Sequence, residues 1–178
     1  MRRFKMVGAK MTDEKPGKSS TPRKEIFISH GKDLKPLNEL KAILTEIGLA
    51  PIVLNELPSG GKTVMEKLEA YSDVGYAFVI LTPDDLGGFA ELGDKWSRPQ
   101  RLRQFLKNAQ TRPRQNVILE FGFFVGKLGR DRVTCLLKKP VEQPSDMQGI
   151  VYLSFKESLY EIKDDILKEL RAAGYQIP

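Results

Sequence analysis

Glu120 stands out from the rest of the sequence because of its neighbours. It lies at the centre of Val117-Ile118-Leu119-Glu120-Phe121-Gly122-Phe123-Phe124-Val125-Gly126, where every other residue is apolar or glycine. A helix that is apolar on all sides is normally buried. An ionised carboxylate inside one is costly unless a cation or a cavity compensates it. Two readings follow from the residues alone. Glu120 opens onto a ligand pocket, or it is tied to a structural cation such as Arg114 or Lys127. Burial raises a carboxyl pKa, a setting that suits a reacting group.

His30, the only histidine, follows the apolar run 25–29 (EIFIS) and is placed either to touch a ligand or to serve as a cap or surface residue. One histidine and one cysteine are too few for a zinc centre, so no metal is expected. A Ser-His-Asp arrangement is equally unsupported, since no G-x-S-x-G is present. Cys135 lies in an apolar run and reads as inert core. Ser59-Gly60-Gly61-Lys62-Thr63 invites a phosphate-loop reading, but that motif needs glycine at position 56, where the chain has Glu56. A carboxylate there would oppose a phosphate. What remains is a flexible loop whose Thr63 caps the next helix, or a mobile lid that contacts a substrate. Asp84 and Asp85 follow Pro83 and either form a turn or hydrogen-bond a polar ligand such as a ribose. Trp96 with Arg98, Arg101, Arg103 and Lys107 reads as a solvated helix face ahead of a nucleic-acid patch.

A scaffold has to bring these groups together. Residues 25–29 suit a buried strand. Leu34, Leu37, Leu40, Leu44 and Ile47 then recur at helical spacing, and Gly48 closes that helix. Residues 50–54 read as a second strand, 55–62 as a loop, 63–72 as a short helix and 76–81 as a third strand. The stretch 83–113 opens with turn residues and carries a basic helical segment at 99–109. Residues 115–126 form the glutamate helix, 133–137 and 150–153 strands four and five, and 159–173 a final amphipathic helix capped by Gly174. Short apolar strands alternating with helices predict a parallel sheet covered on both faces. Five strands make this a flavodoxin-like, three-layer α/β domain. With strand order 2-1-3-4-5 the ligand site falls at the topological switch point, among residues 29–33 and 82–88.

The bulk numbers set bounds on the rest. The 178 residues suffice for one well-buried core. Residues 1–24 hold eight Lys and Arg against Asp13 and Glu14, and so carry the whole net charge of +6. Residues 25–178 are neutral, which argues against a nucleic-acid-binding fold. The first 24 residues, rich in Lys, Gly, Ser, Thr and Pro, read as a disordered basic tail, and 25–178 as the domain. A single cysteine fits a reducing compartment. No apolar run nears the ~20 residues that span a bilayer, and the N-terminus lacks the apolar core of a secretory signal. A soluble cytoplasmic protein with no membrane contact is expected.

Four segments together resemble a known family. They are Glu25-Ile26-Phe27-Ile28-Ser29-His30-Gly31, the stretch from Leu54-Asn55-Glu56-Leu57-Pro58 through Gly60-Gly61-Lys62-Thr63 to Lys67, the run Ala77-Phe78-Val79-Ile80-Leu81-Thr82-Pro83-Asp84-Asp85, and the stretch from Arg114-Gln115-Asn116 through Glu120 to Gly129. Over residues 25–175 the chain is similar to the bacterial Toll/interleukin-1 receptor (TIR)-like domains that act as effectors in cyclic-nucleotide anti-phage systems, some of them fused to bacterial STING. The resemblance implies the TIR fold and an NAD⁺ glycohydrolase that cleaves the nicotinamide–ribose bond, with NAD⁺ as substrate and no cofactor. It makes Glu120 the essential glutamate. It places Ser29 and His30 in the loop lining the site, Leu57 and Lys62 in a loop that mediates subunit contacts and shapes the pocket, and Arg114 and Asn116 near phosphates or ribose. Asp84 joins them as a candidate for the ribose. It further implies self-association through TIR–TIR contacts and a separate or fused sensor that binds a cyclic nucleotide. Residues 87–112 make a long insertion before the glutamate helix. Two other readings stay open: a non-catalytic module that signals by homotypic contact, and a regulator that holds a dinucleotide without cleaving it.

Overall fold

A computed structural model describes residues 22–88, 98–142 and 149–178. Strand β1 (Glu25–Ser29) leads into helix α1 (Leu34–Glu46), strand β2 (Ala50–Val53), helix α2 (Val64–Ala70) and strand β3 (Tyr76–Leu81). A short strand β4 (Asp85–Gly87), helix α3 (Arg98–Asn108) and a short strand β5 (Gln110–Arg112) precede helix α4 (Gln115–Leu128). Strands β6 (Val133–Lys138) and β7 (Val151–Phe155) and helix α5 (Lys163–Ala172) complete the fold. Five strands pair in parallel in the order β2-β1-β3-β6-β7. This is the doubly wound, flavodoxin-like sheet expected of the alternating pattern.

Alternation along the strands sorts the core into two layers. Ile26, Ile28, Phe78 and Ile80 point to one face, where Leu37, Leu40, Ile43 and Leu44 of α1 and Ile166 and Leu170 of α5 cover them. Phe27, Ala77, Val79, Cys135 and Leu137 point to the other, under Leu68 of α2 and Val117, Phe121 and Phe124 of α4. Because β1 and β3 are neighbours whose following helices lie on opposite faces, their carboxyl ends form the topological switch point of the sheet. Burial pushes the Cys135 thiol up to about 12, which agrees with an inert core cysteine.

Several boundaries differ from the sequence reading. Leu54 opens a 3-10 turn (Leu54–Glu56) instead of ending β2. The last helix is divided: Leu159–Ile162 is a 3-10 turn, and α5 follows. Its start is fixed by a capping box, in which the Ser158 side chain and the Glu161 carboxylate satisfy each other's backbone N–H groups. The stretch 83–113 was expected to hold one helix, yet it also forms the antiparallel pair β4–β5. Trp96 lies outside the described residues, as do residues 1–21 of the basic segment. The end of that segment is bonded to the domain. Arg23 pairs with Asp73 at 2.8 Å, and its carbonyl accepts the Tyr175 hydroxyl at 2.9 Å. Among the described residues no helix is long and apolar enough to cross a membrane.

Candidate active site

The register between β1 and α4 sets the site. Residues 27 and 29 lie on the same face of β1, about 6.6 Å apart, and residues 124 and 120 are one helical turn apart on α4, about 6 Å. The helix runs antiparallel to the strand, so the two spacings match. Phe27 meets Phe124 with ring centroids 4.3 Å apart. One step toward the carboxyl end of β1, the Ser29 hydroxyl donates to Oε2 of Glu120 at 2.5 Å. An apolar pair thus aligns a polar pair at the carboxyl end of the sheet.

Among the described residues, neither candidate cation is hydrogen-bonded to Glu120. Lys127 turns away and donates to the Ser72 hydroxyl at 2.5 Å. Arg114 acts on Glu120 only through its charge. The carboxylate is therefore held by a neutral hydroxyl, in a half-buried position. Burial raises its pKa above the ordinary glutamate range, against the opposing pull of the Ser29 hydrogen bond and the charges of His30 and Arg114.

His30 is half-buried beside Ser29, and its Nδ1 lies 2.8 Å from the Gly31 carbonyl. Nδ1–H is the donor there, which leaves Nε2 for a ligand. Asp84 holds the same loop from the other side. Its Oδ1 accepts the Lys32 N–H at 3.1 Å and its Oδ2 accepts the Thr82 hydroxyl at 2.9 Å. A side chain at position 31 would overlap the Asp84 carboxylate, so only glycine allows this approach. Both Asp84 oxygens are thus engaged with the protein, and they brace the loops after β1 and β3. Asp33 adds a third brace, capping α1 through the Lys35 N–H at 3.0 Å and pairing with Lys138 at 2.6 Å.

Arg114 and Asn116 stand exposed at the start of α4, where no side chain caps the helix. Backbone N–H groups and a cation at one helix N-terminus suit an anion. Lys62 and Leu57 belong to the loop before α2. Lys62 is exposed, Gly60 and Gly61 adopt left-handed φ of 55° and 76°, and Thr63 forms a capping box with Glu66. That capping is the alternative to a phosphate loop. The loop is anchored by a residue that sequence reasoning passed over. Lys67, only 7% exposed, donates its ammonium to the Leu57 carbonyl at 2.5 Å. Its one signal in sequence was a lysine four residues after the cap, on the buried side of a short helix. Among the described residues no cluster of His, Cys, Asp and Glu is arranged to hold a metal.

Comparison with known proteins identifies the family of the chain. Residues 25–157 match the family described as CAP12/Pycsar effector protein, TIR domain. The chain is similar to protein YuaY of Escherichia coli K12, 37% identical over 98% of this chain and 54% of that protein. It is also similar to protein tirC of Dictyostelium discoideum, 31% identical over 81% of this chain and 70% of the other. A third relative is CD-NTase-associated protein 12 of Sphingobacterium faecium, 27% identical over 84% of this chain and 42% of that protein. The chain spans about half the length of YuaY and less of CD-NTase-associated protein 12. Because the match runs from β1 to beyond β7 and takes in Ser29, His30 and Glu120, the chain belongs to the TIR-domain family of CAP12/Pycsar effector proteins.

Proposed function

We propose that this chain is the catalytic unit of an NAD⁺ glycohydrolase that acts in assembled form, as an effector in anti-phage defence. The observation that carries the reading is the Glu120 carboxylate, half-buried at the switch point and held by the Ser29 hydroxyl. Desolvating an acid without a bonded cation costs stability, and a substrate that develops positive charge compensates that cost. Breaking the C1′–N bond sends the electron pair to nicotinamide, which leaves neutral. No general acid is needed. The ribose acquires oxocarbenium character, which the Glu120 carboxylate stabilises while accepting from the ribose hydroxyls. Water then adds at C1′ and loses a proton to give ADP-ribose, or an adenine nitrogen adds to give the cyclised product. Ser29 orients Glu120, and His30 borders the ribose. Arg114, Asn116 and the N–H groups opening α4 meet the pyrophosphate. Asp84 acts at one remove, by holding the loop that carries Ser29 and His30.

The surface beside Lys62 supports the assembly part of this reading. Val64 and Met65, at the start of α2, are 64% and 40% exposed. Apolar groups left in solvent next to a loop strutted by Lys67 suit contact with a second copy, and a cyclic-nucleotide sensor, fused or separate, would drive that contact. A module that signals by the same contacts without turnover is the second reading, and it rests on the same two residues. The test is nicotinamide release from NAD⁺, followed by chromatography at high protein concentration with a crowding agent, for wild type and Glu120→Gln. The hydrolase reading expects release from wild type alone, with equal self-association of both. Equal release from both, or loss of self-association in the variant, would remove Glu120 from catalysis.

A further inference from the structure

Helix α3 turns toward solvent a face that the chemistry at Glu120 does not use. Pro99, Leu102 and Leu106 are all exposed, the two leucines at 57% each. Their spacing of three and then four residues sets them in one stripe along the helix, the pattern of a coiled-coil seam. Arg103 and Lys107, also exposed, make a second row beside the first. In each row the four-residue step is about 6 Å along the axis. Arg101, Gln104 and Phe105 lie on the opposite side and are partly buried. Residues 98–108 hold four basic side chains (Arg98, Arg101, Arg103 and Lys107) and no acidic one. The helix therefore carries +4, in a domain whose own net charge is zero.

Charge and spacing together select what covers this face. A second α3 is repelled, because it brings the same positive charge alongside. A nucleic acid binds through its phosphates, and here leucines occupy the centre of the face. A lipid surface takes up a broad apolar face, whereas two leucines and a proline make a narrow stripe. An amphipathic helix fits both rows at once. Its apolar heptad positions would pack on Leu102 and Leu106, and glutamates flanking them would meet Arg103 and Lys107.

The same helix is joined to the candidate site through the β4–β5 ribbon. α3 ends at Asn108 and β5 begins at Gln110, with only Ala109 between them. β5 pairs with β4, Asp85 opposite Arg112. The Asp84 N–H donates to the Arg112 carbonyl at 3.1 Å, and the Asp84 carboxylate accepts from Lys32 in the loop after β1. On the other side of β5 the Thr111 carbonyl accepts the Glu142 N–H at 2.8 Å, and the Arg112 guanidinium pairs with Glu142. Two residues beyond β5, Arg114 opens the helix that carries Glu120. We infer that the outer face of α3 docks an acidic amphipathic helix of a partner protein, and that the β4–β5 ribbon carries this contact to the loop after β1. That a shift of this loop alters turnover rests on the reading of Glu120 as catalytic; the docking does not.

The probe is a three-heptad helical peptide with leucine at a and d and glutamate at e and g, whose pairing with itself the glutamates oppose. Titrated into the full chain and followed by amide NMR, it is expected to shift Leu102, Arg103, Leu106 and Lys107 and, through the ribbon, Asp84 and Lys32. Leu102→Glu and Arg103→Glu, both at exposed positions, should keep the wild-type melting temperature and weaken binding about tenfold or more. A matched peptide with lysine in place of glutamate should leave the wild type unshifted and gain affinity for Arg103→Glu. Equal binding of the two peptides to the wild type, or binding unchanged in both variants, would overturn the docking. Recruitment to phosphatidylserine vesicles without peptide binding would overturn it in favour of a membrane, and loss of self-association in Leu102→Glu in favour of a second copy. Shifts that stop at α3 would overturn the coupling through the ribbon. Failure of the hydrolase reading is distinguishable, since it appears as the absence of Glu120-dependent nicotinamide release, while Glu120→Gln should bind the peptide as the wild type does.

Discussion

At the scale of single residues, the proposed chemistry rests on the pair Ser29–Glu120. A desolvated carboxyl with a raised pKa needs a hydrogen-bond donor to keep its ionised form accessible. Ser29 is that donor. Removing the hydroxyl in Ser29→Ala is expected to move the acid limb of the pH–rate profile to higher pH and to lower kcat roughly tenfold to a hundredfold, the effect of one hydrogen bond to a charged group. The check is nicotinamide release measured across pH. Stability should change in the opposite sense in Glu120→Gln. A carboxyl whose folded pKa is raised binds its proton more tightly in the native state, so stability falls as pH rises from the unfolded value through the folded one. At neutral pH the ionised Glu120 therefore costs stability, mainly through burial. Glu120→Gln is expected to melt at or above the wild-type temperature at pH 7, and the difference should shrink as the pH falls through that window. A lower melting temperature at pH 7 would mark Glu120 as structural.

At the scale of elements, the site is an effect of matched repeats. β1 and α4 present their side chains at nearly equal intervals, and the Phe27–Phe124 contact sets the register that brings Ser29 to Glu120. The apolar block in the sequence made α4 and its burial legible, because every turn of it carries core residues. The pair β4–β5 was not legible. Each strand has three residues, and their pairing is nonlocal, with Asp85 opposite Arg112. No short-range periodicity can report such a contact. Asp33 shows how one element end serves two tasks, since it caps α1 and reaches Lys138 at the end of β6. Burial works to raise its pKa, but the Lys138 and Lys35 bonds outweigh that and hold it below the usual aspartate range. Its contribution is present at neutral pH and is lost as pH falls through the folded pKa. Asp33→Ala is expected to cost about 1 kcal/mol, mostly from the lost cap, measured by urea unfolding at pH 7.

At the scale of the molecule, residues 25–178 carry no net charge, and the proposed assembly contact beside Lys62 rests on the exposed apolar Val64 and Met65. Contacts of that kind depend on buried area more than on charge. Met65→Glu, at a 40% exposed position, is expected to leave stability within about 0.5 kcal/mol of wild type. It should weaken self-association in sedimentation and lower NAD⁺ turnover in proportion. Turnover that is independent of protein concentration and unaffected by Met65→Glu would place the complete site within one copy.

The sequence alone determined the class of fold, the strand order that goes with it and the glutamate helix. These depend on local periodicity and on the handedness of βαβ connections, both of which a single chain carries in its residue order. It also offered Glu120 with two possible partners, and it could not choose between them. Only the tertiary structure decided that Ser29, 91 positions away, takes the carboxylate, that Lys127 serves Ser72, and that both Asp84 oxygens brace the loops instead of standing free. The buried Lys67 strut belongs to the same category. Each depends on where elements distant in sequence are brought together, and that is set by core packing across the sheet rather than by any local pattern.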